Sequence, residues 1–266
     1  MTATSWVTQH EEIRTPANPE AGGAAIDIRN VSQSFGTQKV LDGISLQVRR
    51  GETLVVLGRS GTGKSVLLKI IVGLQRPDQG SAFILGSDMN SVTDSELSNL
   101  RMQMGFLFQH AALYDSLTVV ENVAFPLTHH KKDLSPTEIR DRAEHLLQVV
   151  GLEGHSDKMP ANISGGMQKR VGVARALALD PVILLLDEPT AGLDPIGSEE
   201  IDDLIQKLQT ERKLASVLVT HDLLSAKNIA THIALLDKGK IVIGGSFEDL
   251  KKSEDQFVAH FFSRSL

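Results

Sequence analysis

The stretch Gly58-Arg59-Ser60-Gly61-Thr62-Gly63-Lys64-Ser65 leaves the chain few folds to choose from. It matches G-x-x-x-x-G-K-[ST], in which glycines let backbone N–H groups curl round a phosphate, the lysine reaches the outer phosphates and the hydroxyl ligates Mg²⁺. Such a loop works between a buried strand and a helix whose N-terminus faces the anion. The flanks meet that demand: Thr53 to Leu57 (TLVVL) reads as a short buried strand, and Lys64 to Val72 (KSVLLKIIV) as an apolar helix.

At 266 residues the chain is long for one domain and short for two, so one α/β domain with a large insertion is expected. No apolar run reaches the ~18 residues of a membrane span, and Met1 to Ala25 lacks the basic start and apolar centre of a secretory signal. The expectation is a chain that neither spans a membrane nor is exported. Cysteine is absent, which excludes disulfides, thiolate metal sites and cysteine nucleophiles. A net charge of -6 offers nucleic acid no general attraction, so no nucleic-acid partner is expected. The pair His129-His130 beside Lys131-Lys132 has no metal-ligand spacing and reads as a solvated loop.

Residues 1 to 24, rich in Thr, Ala, Pro, Glu and Gly, read as a disordered arm. Alternation at Ile26 to Arg29 and Ile44 to Val48 predicts antiparallel strands with one wet face. Phe35, before Gly36, either stacks on a purine or belongs to the core of that small sheet. Thr93-Asp94-Ser95-Glu96, Thr118-Val119-Val120-Glu121 and Ser135-Pro136-Thr137-Glu138 are capping boxes, each opening a helix; Pro126 is expected to stop the second. The helical block over about 110–163 is the expected insertion, and Ala111 to Tyr114 in it is either core or a docking face.

Polar residues recur at the carboxyl ends of apolar runs, where α/β sheets place ligand contacts. Gln109 ends Met104 to Phe108; Asp187 and Glu188 end Val182 to Leu186; Ser216 to Val219 ends in Thr220-His221-Asp222. Adjacent carboxylates at a strand end are costly unless they meet a metal or a reacting water, which assigns Asp187 to Mg²⁺ and Glu188 to the attacking water. His221 at such a terminus can donate to a γ-phosphate or be structural. Ser164-Gly165-Gly166, ahead of an expected helix from Val171 to Leu179, is a second anion-binding loop. Ser198 is expected to cap the helix that follows Asp194-Pro195, and Ile233 to Ile243 reads as a closing hairpin.

In this order and spacing, the phosphate loop, Gln109, Ser164-Gly165-Gly166, Asp187-Glu188, Asp194 and His221 resemble an ABC-transporter ATPase subunit over about residues 26–250. The resemblance implies a RecA-like core with ATP and Mg²⁺ as cofactors, an N-terminal antiparallel β subdomain and an inserted helical subdomain. It further implies a head-to-tail dimer in which Ser164 to Gly166 of one chain faces ATP held by Gly58 to Ser65 of the other. In that scheme Gln109 joins Mg²⁺ and water to a partner-docking surface, Asp194 helps form the dimer interface and Phe35 stacks on adenine. Met167 departs from the glutamine usual in the family, and methionine cannot supply glutamine's hydrogen bonds.

Ile163 to Met167, Ala112 to Val119 and Glu121 to Leu127 are similar to the ATPases of Mce-protein lipid transporters, the Mla type. The tail Gln256 to Phe262, within an expected extension over 251–266, is similar to theirs. That resemblance implies phospholipid cargo, an MlaE-type permease, an Mce-domain protein, a STAS-domain subunit and a place on the cytoplasmic face of the inner membrane. An importer of a polar solute such as an amino acid is the nearer alternative. A soluble ABC protein acting on ribosomes or DNA is the remoter one.

Overall fold

The computed structural model describes residues 23–253 and 255–263; the disordered arm expected over 1–24 otherwise lies outside them. The described residues open with β1 (Ile26–Phe35), β2 (Gln38–Val48), β3 (Thr53–Leu57), α1 (Lys64–Ile71), β4 (Gln79–Ile84) and β5 (Ser87–Asp88). It continues through α2 (Asp94–Arg101), β6 (Met104–Leu107), α3 (Val119–His130), α4 (Pro136–Val149) and α5 (Gly165–Ala176). Then come β7 (Ile183–Asp187), α6 (Pro195–Arg212), β8 (Ala215–Thr220), α7 (Leu223–Ile229), β9 (His232–Asp237), β10 (Lys240–Gly245), α8 (Phe247–Lys251) and α9 (Gln256–Ser263).

A six-stranded sheet in the order β10-β9-β3-β8-β7-β6 is parallel except for the β9–β10 hairpin. Its central strand shows why the apolar runs lie here. All five residues of β3 are buried. Leu54 and Val56 pack with α1 and the small sheet, while Val55 and Leu57 pack with α3 to α8 on the other face. A strand covered on both sides has no wet face, hence its uninterrupted apolar sequence. The second sheet, β2-β1-β4-β5, is antiparallel. Gly63 and Gly239 bring this sheet against the phosphate loop and the closing hairpin: a Cβ on either would lie 2.7 or 2.8 Å from the Val40 carbonyl oxygen.

Three helix boundaries correct the sequence reading. Helix α3 runs through Pro126 to His130. Proline in a helix interior costs ~3 kcal/mol, but Val119, Val120, Val123 and Leu127 on one face of α3 are at most 2% exposed, and their burial outweighs that cost. Helix α6 starts at Pro195, with Asp194 rather than Ser198 as its cap; the Asp194 carboxylate accepts the Gly197 N–H at 2.8 Å. Proline at the first helical position needs no N–H partner, which is why the Asp-Pro pair starts the helix. Helix α5 likewise begins at Gly165, capped by Ser164, whose hydroxyl accepts the Met167 N–H. The two glycines form the first turn of the helix instead of a loop before it.

Candidate nucleotide site

The phosphate loop leaves the carboxyl end of β3 and enters α1 at Gly63, whose φ of 105° an L side chain rarely adopts. Lys64 is 6% exposed, and its Nζ donates to the carbonyl oxygens of Gly58 at 2.7 Å and Arg59 at 3.1 Å. The ammonium thereby folds back over Gly58 to Gly63, and the Glu188 carboxylate lies 3.4 Å from it. The Ser65 hydroxyl donates to Asp187 Oδ1 at 3.2 Å, joining the start of α1 to the end of β7. Burial raises the Asp187 carboxyl above its ordinary pKa; the Ser65 hydrogen bond opposes this, the Glu188 charge adds to it and Lys64 opposes it.

Glu188 adopts φ 47°, a left-handed conformation that costs a non-glycine residue roughly 1–2 kcal/mol. Its carboxylate has one oxygen facing Lys64; the other accepts the Thr220 hydroxyl at 3.2 Å and lies 2.9 Å from His221 Nδ1. Lysine, hydroxyl and imidazole thus meet one carboxylate that is almost fully buried, 7% exposed, between the ends of β3, β7 and β8. The His221 side chain itself is 60% exposed, so its ring faces outward from this carboxylate.

Among the described residues no three His, Cys, Asp or Glu side chains converge as a metal cage. The Ser65–Asp187 pair fits Mg²⁺ instead, which takes a few protein oxygens and completes its octahedron with phosphates and water. Gln109 is exposed just past β6, and its side-chain amide bonds neither Ser65 nor Asp187. Phe35 is 51% exposed at the β1–β2 turn, which excludes the core reading. Arg59, Ser60 and Gly61 are exposed and Thr62 half-buried, its hydroxyl donating to the Arg59 carbonyl. Ser164 and Gly165 are exposed at the amino end of α5, and Asp194 lies at the amino end of α6. Leu193 is the nearest side chain to both Gly165 and Gly166, so the α5 terminus lies beside the turn entering α6.

Met167 is half-buried and packs on the helical core with Ile163 and Leu193. The Met167→Gln substitution leaves the Ser164 cap and the glycine amides in place, and ATP hydrolysis by that variant is expected within about threefold of the parent. Complete loss of steady-state phosphate release would show that the thioether itself is needed.

Two buried charged groups carry no motif signal and are absent from the sequence reading. Lys169, on α5, is 5% exposed, and burial draws its ammonium below the ordinary lysine range against the Asp187 and Glu188 charges. Asp202, on α6, is 2% exposed, and its Oδ1 has no hydrogen-bond partner. Burial raises its pKa from 3.8 to about 6; the nearby Ser225 and Asn228 side chains oppose the rise, while the Asp222 and Asp203 charges add to it. The folded chain therefore binds this proton more tightly than the unfolded one. The contribution of Asp202 to stability is expected to fall between pH 3.8 and about 6. The Asp202→Asn substitution is expected to remove that slope and raise stability above pH 6 by roughly 2–3 kcal/mol. Urea midpoints across the window measure both effects, and an unchanged slope in the variant would exclude Asp202 as its source.

A phosphate loop at the end of one central strand, with Ser65 and Asp187 paired and Glu188 buried beside Lys64, defines a P-loop nucleoside triphosphatase. The ABC transporter family model matches residues 41–191. The chain is 40% identical over 241 residues to the probable ribonucleotide transport ATP-binding protein mkl of Mycobacterium leprae, covering 91% of this chain and 69% of that one. It is 41% identical to the methionine import ATP-binding protein MetN of Rhizobium johnstonii, covering 88% of this chain and 64% of that one. It is also 41% identical to the chloroplast protein trigalactosyldiacylglycerol 3 of Arabidopsis thaliana, covering 91% and 74%. The structure superimposes on a dimeric ATP-binding cassette, solved in a post-hydrolysis state with ADP and Pi, with a TM-score of 0.77 at 35% identity, covering 84% of this chain and 98% of that one. The chain belongs to the ABC transporter family as an ATP-binding, ATP-hydrolysing subunit; its parallel core sheet and antiparallel β subdomain are the cassette fold, and ATP and Mg²⁺ are its cofactors. Among the described residues no helix is long and apolar enough to cross a membrane.

Proposed function

We propose that this chain powers an ABC transporter moving phospholipids between membranes of the cell envelope, acting as a head-to-tail dimer on the cytoplasmic face of the inner membrane. One observation carries the catalytic half of the reading: the Glu188 carboxylate is buried, fixed by Thr220 and His221, and aimed across the phosphate loop at Lys64. In this reading Glu188 orients and deprotonates the attacking water while His221 steers the reacting end. Lys64 and the amides from Gly58 to Ser65 hold the phosphates, Ser65 and Asp187 hold the metal, and Gln109 senses it. Bound Mg²⁺ supplies charge neutralisation of the transferred phosphoryl group. Ser164 to Gly166 complete the site of a second copy, the exposed α5 terminus offering free amides and a positive dipole end. Asp194 lies at the seam between copies, and Phe35 offers its exposed ring to the adenine.

The transport half rests on a surface and on resemblance. A cleft of about 470 Å³ beside Gln109 is lined by Phe106, Phe108, Tyr114, Phe125 and Arg175. Phe108 and Tyr114 are exposed, and Tyr114, Phe125 and His129 form an aromatic row with ring centres 4.6 and 4.2 Å apart. Exposed aromatic clefts of this kind receive partner helices, and an MlaE-type permease, with an Mce-domain protein and a STAS-domain subunit in the same complex, is the occupant this reading supplies. The Arabidopsis relative, named for a galactolipid, supports lipid as cargo. The methionine importers, at similar identity, support a polar-solute importer as the second reading.

The test is to tag the chain, extract it from native membranes in mild detergent and identify the retained proteins and lipids by mass spectrometry. A permease with an Mce-domain protein and phospholipid is the expected result. Recovery with a solute permease and its binding protein would overturn the cargo and keep the ATPase.

A further inference from the structure

We propose that Lys169 is a positioning residue for ATP hydrolysis, one ammonium holding the main chain of Gln109 and of Glu188 to the helix that Ser164 caps. Its Nζ donates to the Gln109 carbonyl oxygen and, at 3.2 Å, to that of Glu188, which lie at the ends of two neighbouring strands, β6 and β7. The inference rests on the catalytic reading of Glu188 given above and adds the group that sets its backbone.

The surroundings make this contact a constraint rather than incidental solvation. Glu188 departs from β7 with φ 47°, so the direction of its side chain depends on a peptide that has turned over. The carbonyl of that residue is gripped by Lys169 from one side and by the Ala191 N–H, at 3.2 Å, from the other. Helix α5 is itself fixed on β6. A Cβ at Gly105 would lie 2.3 Å from the Ala176 carbonyl oxygen, and one at Gly172 would lie 2.6 Å from Leu107 Cδ1, so helix and strand are in backbone contact. Farther along α5, Arg175 donates to the carbonyls of Ala111 and Ala112, both left-handed with φ 56° and 46°. Two cations of one helix therefore hold residues 109–112. Lys169 alone of the two also touches Glu188. A change at the Ser164 end of α5 is thereby conveyed to the catalytic carboxylate and to Gln109 through the same atom.

Lysine delivers this with reach: Nζ ends a flexible stem and carries three donors, enough for two carbonyls from different strands. Methionine has similar bulk and no donor, whereas glutamine keeps an N–H donor on a stem one atom shorter. Steady-state hydrolysis by the full chain is the measurement. Lys169→Met is expected to lose about tenfold or more in kcat with KM for ATP within about twofold, because geometry at the reacting end changes while the phosphate grip does not. Lys169→Gln is expected to recover a kcat at least about threefold above that of Lys169→Met. A kcat for Lys169→Met within about twofold of the parent, an equal loss in nucleotide affinity, or no recovery with glutamine would each overturn the assignment. If Lys169→Met is not recovered folded, Lys169→Gln is read alone: lowered kcat at unchanged KM supports the role, and parental kcat overturns it. Glu188→Gln measured in parallel separates the two layers. Parental hydrolysis by Glu188→Gln removes the catalytic reading and this inference with it; an inactive Glu188→Gln beside an active Lys169→Met removes the inference alone.

Discussion

Glu188→Gln is expected to bind ATP and Mg²⁺ as the parent does, to hydrolyse ATP at least ~10²-fold more slowly, and to accumulate as a nucleotide-bound dimer. The substitution preserves shape and leaves one carbonyl oxygen able to accept from Thr220 or face Lys64, so the pocket around the side chain need not collapse. What it removes is the base proposed for the attacking water. A carboxylate 7% exposed between a lysine and an imidazole is costly to keep charged, and the fold supplies a hydroxyl, a ring nitrogen and an ammonium to do so. Phosphate release measured beside fluorescent-nucleotide binding separates the two effects, and size-exclusion chromatography with ATP and Mg²⁺ reports the dimer. Hydrolysis within about threefold of the parent would take Glu188 out of the chemistry.

Lys64→Ala is expected to fail one step earlier, at binding. Nζ is the cation of the phosphate loop, and a charge-assisted hydrogen bond to phosphate is worth roughly 1.5–3 kcal/mol, or about 10–150-fold in Kd. The same variant is expected to lose stability without nucleotide, by about 1–3 kcal/mol, because the Gly58 carbonyl and the Glu188 carboxylate both lose a buried partner. Nucleotide titration and urea denaturation read the two losses. The pair of variants forms an internal control: Glu188→Gln keeps affinity and loses turnover, whereas Lys64→Ala loses affinity itself. An unchanged Kd in Lys64→Ala would move the ammonium's contribution from binding to the chemical step.

Local signals were legible in the sequence and long-range ones were not. The strand, glycine loop and helix around Lys64 are contiguous, so 20 residues from Thr53 to Val72 contain the whole signal. The capping boxes at Thr93, Thr118 and Ser135 are equally local and appear with both hydrogen bonds formed. Pro126 misled because the rule for proline is local, whereas the burial that overrides it comes from α4 and α5. Lys169 was illegible for a related reason. Its partners are carbonyl oxygens, present at every residue, and they lie 60 and 19 positions away in sequence. No side-chain pattern announces a lysine whose role is to hold backbone. Gln109 shows the limit from the other direction: its strand end could be read, but that its exposed side chain bonds neither Ser65 nor Asp187 is a property of the loop around it.

The contact of β2 with Gly63 and Gly239 bears on how this chain can diverge. Val40 lies 23 residues before Gly63 and 199 before Gly239, yet its carbonyl oxygen closes on both glycines, and the Asp42 N–H bonds the Gly239 carbonyl at 2.8 Å. At Gly239 the neighbours are backbone atoms of Val40 and Leu41, while Gly63 also meets the Leu41 and Val40 side chains, at 2.8 and 3.1 Å from a Cβ placed there. Leu41 is fully buried as well, so its size is constrained from both sides. Chain length is constrained too: one residue gained or lost between Val40 and Asp42 would shift the carbonyl facing Gly63 and carry the Phe35 turn with it. Insertions that accumulate over evolutionary time are therefore expected to stop short of this knot and to gather in the exposed turns of the helical side.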